Sequence, residues 1–391
     1  MITFEEAFRI VTESSFRMGR EVVSLAEAAG RALTLPVRSD MDMPPWNKSA
    51  VDGYACRHTD LGHDLTVLET IAAGVLPRKE VVPGTCSRIM TGAAVPAGAD
   101  YVFMLENSEA LPDGRVRFTG KPGSDNIARA GEDMMKDQTV LRPGRYIKPQ
   151  DIAVMAAVGA TEVTVSCRPR VGVISTGDEL VEPDSVPSGA QIRNSNASQL
   201  MAQIARAGAK GKYYGIARDN VESVTTLLKK ALEECDVVLI SGGVSFGDFD
   251  LVPGVMHSLG LTIHFDQVAM QPGKPLTFCT GEKKAVFGLP GNPVSTFVQF
   301  EVMVRAFLDR MVGVTEQAPV LQMPLAADYS RKKAERMSWI PCTITAAGEA
   351  MPVEYHGSAH ISSLTGAWGV IVIPRGQSWI QKGEMVSVRQ I

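Results

Sequence analysis

Three short segments combine glycine, hydroxyl, carboxylate and lysine in a way suited to holding a charged ligand. They are Ser175-Thr176-Gly177-Asp178-Glu179, Ser241-Gly242-Gly243-Val244-Ser245-Phe246-Gly247-Asp248-Phe249-Asp250 and Gln271-Pro272-Gly273-Lys274-Pro275. Glycine lets backbone N–H groups approach an oxyanion, and a helix start behind such a turn adds partial positive charge, so a phosphate-like anion is expected. Asp178, Glu179, Asp248 and Asp250 would repel that anion unless something stands between them. Mg²⁺ would do so by taking carboxylate and phosphate oxygens together. A ligand end rich in N–H donors, such as a pterin or purine ring, would do so by hydrogen bonding.

Each segment follows a run rich in β-branched residues (171–174, 237–240 and 261–269), so each is expected at the carboxyl end of a strand, where open α/β sheets bind ligands. Across 170–313 strands are expected near 171–175, 212–216, 236–240, 261–268 and 285–289. Helices are expected near 196–207, 220–235, 250–259 and 293–312. That alternation implies a doubly wound parallel sheet. Gly288-Leu289-Pro290-Gly291-Asn292-Pro293 ends one strand and opens a helix, with Gly291 and Asn292 able to take positive φ and Pro293 suited to a first helical turn. Alone it reads as an ordinary turn; beside the other three it becomes a further wall of one crevice.

Around this unit the chain divides further. Thr3-Phe4-Glu5-Glu6 and Ser24-Leu25-Ala26-Glu27 read as capping boxes for helices near 3–18 and 24–30. With a helix over 149–157 and a strand over 161–167, they define a helical and extended linking domain, 1–38 with 146–169. Residues 39–145 carry short apolar runs broken by glycine and proline, the texture of an inserted, mostly β domain. Short strands over 317–391 suggest a C-terminal β-barrel. The expected fold class is therefore α/β plus β.

Composition narrows the function classes. At 391 residues, 45% hydrophobic and 21% charged, the chain is expected to be globular with ample core. A formal charge of −4 without a basic, aromatic-interleaved stripe argues against nucleic acid, and no apolar run approaches the ~18 residues of a membrane span. Residues 1–20 lack the apolar centre of a signal peptide. Six scattered cysteines without a C-x-x-C pair suit reduced thiols in a cytoplasm.

Other candidates have plainer readings beside them. Lys274 between two prolines is either a fixed cation or a surface lysine on a turn. Asp52 and Thr91, on loops of the inserted domain, read locally as a turn aspartate and a cap threonine. Arg193-Asn194-Ser195-Asn196 and Arg218-Asp219-Asn220 are helix caps, and Arg331-Lys332-Lys333 is most simply a solvated turn. His264 reads as a strand residue. No Ser-His-Asp or Cys-His set assembles near the glycine-rich turns, so positioning and electrostatic stabilisation fit better than nucleophilic catalysis.

Six strings in order, namely 49–55, Thr91-Gly92 with 96–100, 175–180, 241–250, 272–275 and 288–295, resemble the molybdopterin molybdenumtransferase family, bacterial enzymes related to the E domain of gephyrin. The resemblance covers essentially the whole chain. It implies a homodimer of elongated four-domain subunits that inserts molybdate into the dithiolene of adenylyl-molybdopterin, releases AMP and uses Mg²⁺. It also implies that the inserted domain of the other subunit completes each crevice.

By motif position, the resemblance carries over Asp52, Thr91, Glu179, Asp219, Asp250 and Lys274 as catalytic candidates, with Glu179 and Asp250 for Mg²⁺ and Ser245, Lys274 and Ser362 for molybdate. Ser175, Thr176, Gly177, Asp178, Ser241, Gly242, Gly243, Ser245, Asp248, Pro272, Gly273, Pro290, Gly291 and Asn292 are the candidates for holding the pterin nucleotide. Relatives carry lysine where this chain has Gln271, and a second arginine after the one matching Arg336, where this chain reads Ser338-Trp339-Ile340-Pro341. Partner enzymes would be a molybdopterin adenylyltransferase or a molybdoenzyme. Two alternatives stand: an adenylyltransferase, against which the long insertion and terminal barrel argue, and a non-catalytic scaffold, against which Asp250 and Lys274 argue.

Overall fold

The computed structural model describes residues 1–243, 251–316, 319–354 and 357–391. Its centre is a six-stranded sheet in the order Lys210–Ala217, Arg170–Thr176, Val237–Ser241, Lys284–Leu289, Pro275–Gly281, Thr262–Gln267. The first four strands run parallel, and the last two are antiparallel to their neighbours. The doubly wound parallel arrangement therefore holds for four strands and gains an antiparallel edge. Two reversals restore direction, so Thr262–Gln267 runs with the parallel set and its carboxyl end meets theirs.

The strand at Pro275–Gly281 was not expected. Its proline bracket reads as loop, yet Leu276, Thr277, Phe278 and Cys279 are all fully buried between neighbouring strands. Phe278 packs against Phe265, Phe287 and Phe307 with ring centroids 4.8–5.8 Å apart, so tertiary packing outweighs the turn chemistry.

Helices cover both faces. Ser195–Arg206 buries Ala197, Leu200 and Ile204 on one face, while Val221–Glu234 buries Val224, Leu228 and Ala231 on the other. The segment after Pro293 is helical to Met311, with a π-helical stretch at Phe300–Val304.

The first helix, Phe4–Glu13, starts where Thr3 Oγ1 accepts the Glu6 N–H at 3.1 Å. It ends earlier than the expected residue 18, because Met18 N–H is drawn to the Met311 carbonyl and Arg20–Ser24 forms a strand against Glu162–Ser166. Its buried residues Ala7 and Val11 join the core of the central sheet. The second helix is a single turn, Leu25–Ala28; Ser24 donates to the Glu27 carboxylate at 3.0 Å and makes no side-chain cap to the backbone.

The inserted region contributes a mixed six-stranded sheet, with Gly53–Cys56 between Tyr101–Met104 and Thr85–Ile89. At the C-terminal end, Val320–Pro324, Met385–Gln390, Gly369–Ile373, Met337–Ile344 and Ala350–Pro352 pair in that order, and a bridge from Leu325 to Ala350 brings the two ends together. This sheet takes one strand from outside its own segment. Met270–Gln271, arriving from the central domain, pairs in parallel with Met337 and Ser338.

Among the described residues no helix is long and apolar enough to cross a membrane. Five of the six cysteines are buried, and burial pushes the thiols of Cys56, Cys86 and Cys279 up to about 12, as expected of packed, inert thiols.

Candidate active site

The carboxyl ends of the central strands open into a cleft of about 910 Å³. Its lining includes all four expected turns among the described residues: Thr176, Gly177 and Glu179; Ser241, Gly242 and Gly243; Pro272, Gly273 and Lys274; Pro290, Gly291 and Asn292. Asp219 joins them from the edge strand, and Arg193, Asn196, Arg336 and Ser358 complete the polar wall.

Buried side chains hold these turns in place. Asn194 caps the helix Ser195–Arg206 by accepting the Ala197 N–H at 3.2 Å, takes the Ser175 hydroxyl at 3.1 Å and donates to the Tyr213 hydroxyl at 2.9 Å. Ser175 thus lies under the cleft as support. Asn196 Nδ2 donates to Ser241 Oγ at 2.8 Å and to the Gly291 carbonyl at 2.7 Å, tying two ligand-facing turns together. Gln299 Nε2 donates to the Gly273 and Pro275 carbonyls, each at 2.8 Å, which fixes the turn that carries Lys274.

Gly242 has φ +99°, and a Cβ there would lie 2.5 Å from the Thr176 carbonyl oxygen, so only glycine fits. Gly291 and Asn292, though able to take positive φ, do not: Asn292 has φ −70° and enters the helix as its cap residue. The N–H groups of Gly243 and Gly291 donate to no acceptor among the described residues, which leaves them open to a ligand.

Strand order arranges the charges. Asp219 follows the edge strand and Glu179 the next, whereas Gln271 to Lys274 lie between the last two strands. At roughly 4.8 Å per strand the carboxylates and Lys274 are separated by roughly 15–20 Å across the crevice. Arg336 flanks the lysine end, where its Nη1 donates to the Met270 carbonyl at 3.3 Å. The cleft thus runs from an end carrying Glu179 and Asp219 with Arg193 beside them, over a floor of glycine N–H groups, to an end carrying Lys274 and Arg336. Asp178 stands just outside the lining: its N–H donates to Asp219 Oδ2 at 3.2 Å, its Oδ1 accepts from the Asp219 N–H at 3.4 Å, and Arg218 lies 3.7 Å away.

Ser362 lies on the turn Ile361–Leu364, beyond the lining residue Ile361, and its carbonyl accepts from Thr365; in this segment it is Ser358 that lines the cleft. Asp52 and Thr91 lie outside the cleft lining and meet each other, with Thr91 Oγ1 donating to Asp52 Oδ1 at 2.7 Å. Ser245, Asp248 and Asp250 fall outside the described residues.

Sequence reading missed Asn196 and Gln299 as turn-holding groups and Ser358 as a lining residue. The cap before a helix hinted at Asn196. Ser358 reaches the site only because Asn292 Nδ2 donates to its Oγ at 2.9 Å and the Val294 N–H donates to its carbonyl at 3.1 Å, across the junction with the C-terminal domain.

Comparison with known proteins agrees along the whole chain. Residues 2–159 match the family described as MoeA N-terminal region (domain I and II), 172–310 the probable molybdopterin binding domain, and 323–391 the MoeA C-terminal region (domain IV). The chain is similar to the molybdopterin molybdenumtransferase of Nostoc sp., at 34% identity over 98% of this chain and 92% of that one. It is also similar to the protein of that name from Bacillus subtilis, at 31% identity over 99% and 93%. Among solved structures it resembles the molybdopterin biosynthesis moeA protein of Pyrococcus horikoshii OT3, with TM-score 0.86, 30% identity and full coverage of both chains.

Proposed function

The chain belongs to the molybdopterin molybdenumtransferase family, and from that premise we propose that it inserts molybdate into the dithiolene of adenylyl-molybdopterin and releases AMP. The observation that carries this reading is the graded cleft, with Glu179 and Asp219 at one end, open N–H groups of Gly243 and Gly291 between, and Lys274 with Arg336 at the other. In the overall change one water cleaves the phosphoanhydride, two Mo–S bonds replace two Mo–O bonds, and the two displaced oxides leave as water with protons from the dithiol and from solvent. Molybdenum stays at +6, so no electron donor is needed.

Lys274 and Arg336 hold and orient the molybdate oxygens. The glycine N–H groups hold phosphate oxygens, and the polar turns at Ser241 and Pro290 seat the donor-rich pterin. One or two carboxylates together with substrate phosphates is the donor set that Mg²⁺ takes, and Glu179 and Asp219 supply it among the described residues. When bound, Mg²⁺ neutralises phosphate charge and withdraws electrons from the bond that breaks. The working form is a homodimer in which Asp52 and Thr91 of one subunit approach the cleft of the other, and the buried, reduced thiols suit a cytoplasmic setting.

The deciding assay combines purified protein, adenylyl-molybdopterin and Mg²⁺ with a molybdate titration, following AMP and bound molybdenum. AMP release that rises with molybdate is the expected result. Pyrophosphate production from ATP and molybdopterin would indicate an adenylyltransferase. Pterin binding without turnover would indicate a scaffold.

A further inference from the structure

The basic run Arg331-Lys332-Lys333 reads in sequence as a solvated turn. Lys332 and Lys333 are exposed, as that reading requires, but Arg331 is not. Its Nε donates to the Gln377 carbonyl at 2.7 Å, Nη2 to the Pro374 carbonyl at 2.6 Å, and Nη1 both to the Arg336 carbonyl at 2.7 Å and to Ser338 Oγ. Every acceptor is neutral, and among the described residues Arg331 has no carboxylate partner. Its charge is therefore uncompensated, next to a cleft cation.

We propose that Arg331 is a positioning residue for the oxyanion end of the cleft, setting the backbone of Arg336 and, through Ser338, the strand pair that carries Gln271. The path is short. Ser338 is in register with Gln271, the Met337 N–H donates to the Ala269 carbonyl at 3.0 Å, and the Arg336 side chain bonds the Met270 carbonyl. Three residues further on stands Lys274. A guanidinium presents a rigid planar fork that one ammonium cannot reproduce, so three carbonyls from two segments demand arginine at this position. The uncompensated charge also raises the positive potential where Gln271 offers none, which gives this chain a half-buried cation behind the site. Partial burial is the main cause that pulls the Arg331 guanidinium below the usual arginine range; Tyr329 opposes the shift and the like charge of Arg336 adds to it, in keeping with a charge held by neutral dipoles.

The proposal rests on molybdate occupying the Lys274 and Arg336 end. It is tested by steady-state AMP release in Arg331→Lys and Arg331→Gln, titrating molybdate and adenylyl-molybdopterin separately, with melting curves for each variant. The half-saturating molybdate concentration is expected to rise about 10- to 100-fold in both variants, the scale of lost charge-assisted hydrogen bonds. That for adenylyl-molybdopterin should stay within about twofold, as should both constants in the exposed-neighbour control Lys332→Gln.

Unchanged molybdate dependence in both arginine variants, or an equal rise for the two substrates, overturns the proposal. If neither arginine variant folds, Ser338→Ala removes a single acceptor; it should raise the molybdate requirement alone, and failure to do so overturns the proposal. Parent protein that releases AMP without any dependence on molybdate would instead overturn the functional reading beneath it.

Discussion

Thr91 donates twice to a single oxygen of Asp52, through its backbone N–H at 2.6 Å and its hydroxyl at 2.7 Å, both to Oδ1. Oδ2 has no hydrogen bond among the described residues and remains exposed, so the carboxylate is oriented by one oxygen and available by the other. The Thr91 N–H first, and its hydroxyl second, hold the Asp52 carboxyl below its usual value of 3.8.

Thr91→Val keeps the shape and the N–H but deletes the hydroxyl. The Asp52 carboxyl should then titrate closer to 3.8 without reaching it, as read by carboxyl-carbon NMR across the acid range. The sign follows from linkage. A depressed folded value stabilises the fold above the unfolded value and is lost as pH falls through the folded one, so the parent should lose more stability than the variant on acidification. Identical Asp52 titrations in the two proteins would show that the hydroxyl is idle.

Lys274→Ala should lower turnover by about 100- to 1,000-fold, the usual scale for removing one preorganised oxyanion contact. Melting should be unaffected, because Lys274 is exposed and the bond it gives the fold, its carbonyl accepting from the Val268 N–H at 3.0 Å, belongs to the backbone. Near-parental turnover would remove Lys274 from the site.

Gly242 and Gly291 make a matched pair. Alanine at 242 meets the Thr176 carbonyl in a backbone conformation that L side chains rarely adopt, so Gly242→Ala should lose about 1–3 kcal/mol of stability and distort the cleft floor. Alanine at 291 has its nearest new contact at 3.9 Å, with the Gly242 Cα, and should fold like the parent. Equal urea midpoints for the two variants would contradict this reading of the floor.

Asp309 accepts from the Tyr146 hydroxyl at 2.6 Å, joining the helix Arg305–Met311 to the segment before Pro149. Burial, the dominant cause, raises its carboxyl above 3.8, against the hydroxyl and the positive charges of Arg305 and Arg389, while Glu301 adds to the rise. With a raised folded value, this group's stabilising contribution is fully present below the unfolded value and is lost as pH rises through the folded one. Asp309→Asn should therefore gain stability relative to the parent between pH 4.5 and pH 7.5, measured as the difference in melting temperature at the two values. A relative loss over that interval would reverse the assigned sign.

If the site is shared in a closed dimer, Asp52→Ala and Lys274→Ala chains should each be inactive alone. Half of the randomly formed dimers would be mixed, with both lesions in one site and none in the other. Co-refolding equal amounts should thus restore roughly a quarter of normal activity per site. Inactive mixtures in which mixed dimers are demonstrated would confine each site to one subunit.

What the sequence determined by itself was local. Gly177, Gly242, Gly273 and Pro290 mark turns at the ends of β-branched runs through the preferences of a few adjacent residues, and those turns do line one cleft. Thr3 and Asn194 declare helix starts in the same way. Only the tertiary structure decided what came beside them. Ser338 faces Gln271 across a strand pair, Ser358 meets Asn292, and Arg331 turns inward to clasp the backbone of Arg336, each contact set by how far-apart segments pack. The strand Pro275–Gly281 was hidden for the same reason, its proline-led start reading as a turn until Phe278 is buried among other rings. Backbone preference acts over a few residues and is written in them, whereas juxtaposition depends on burial and pairing summed over the whole chain, which no short stretch of sequence records.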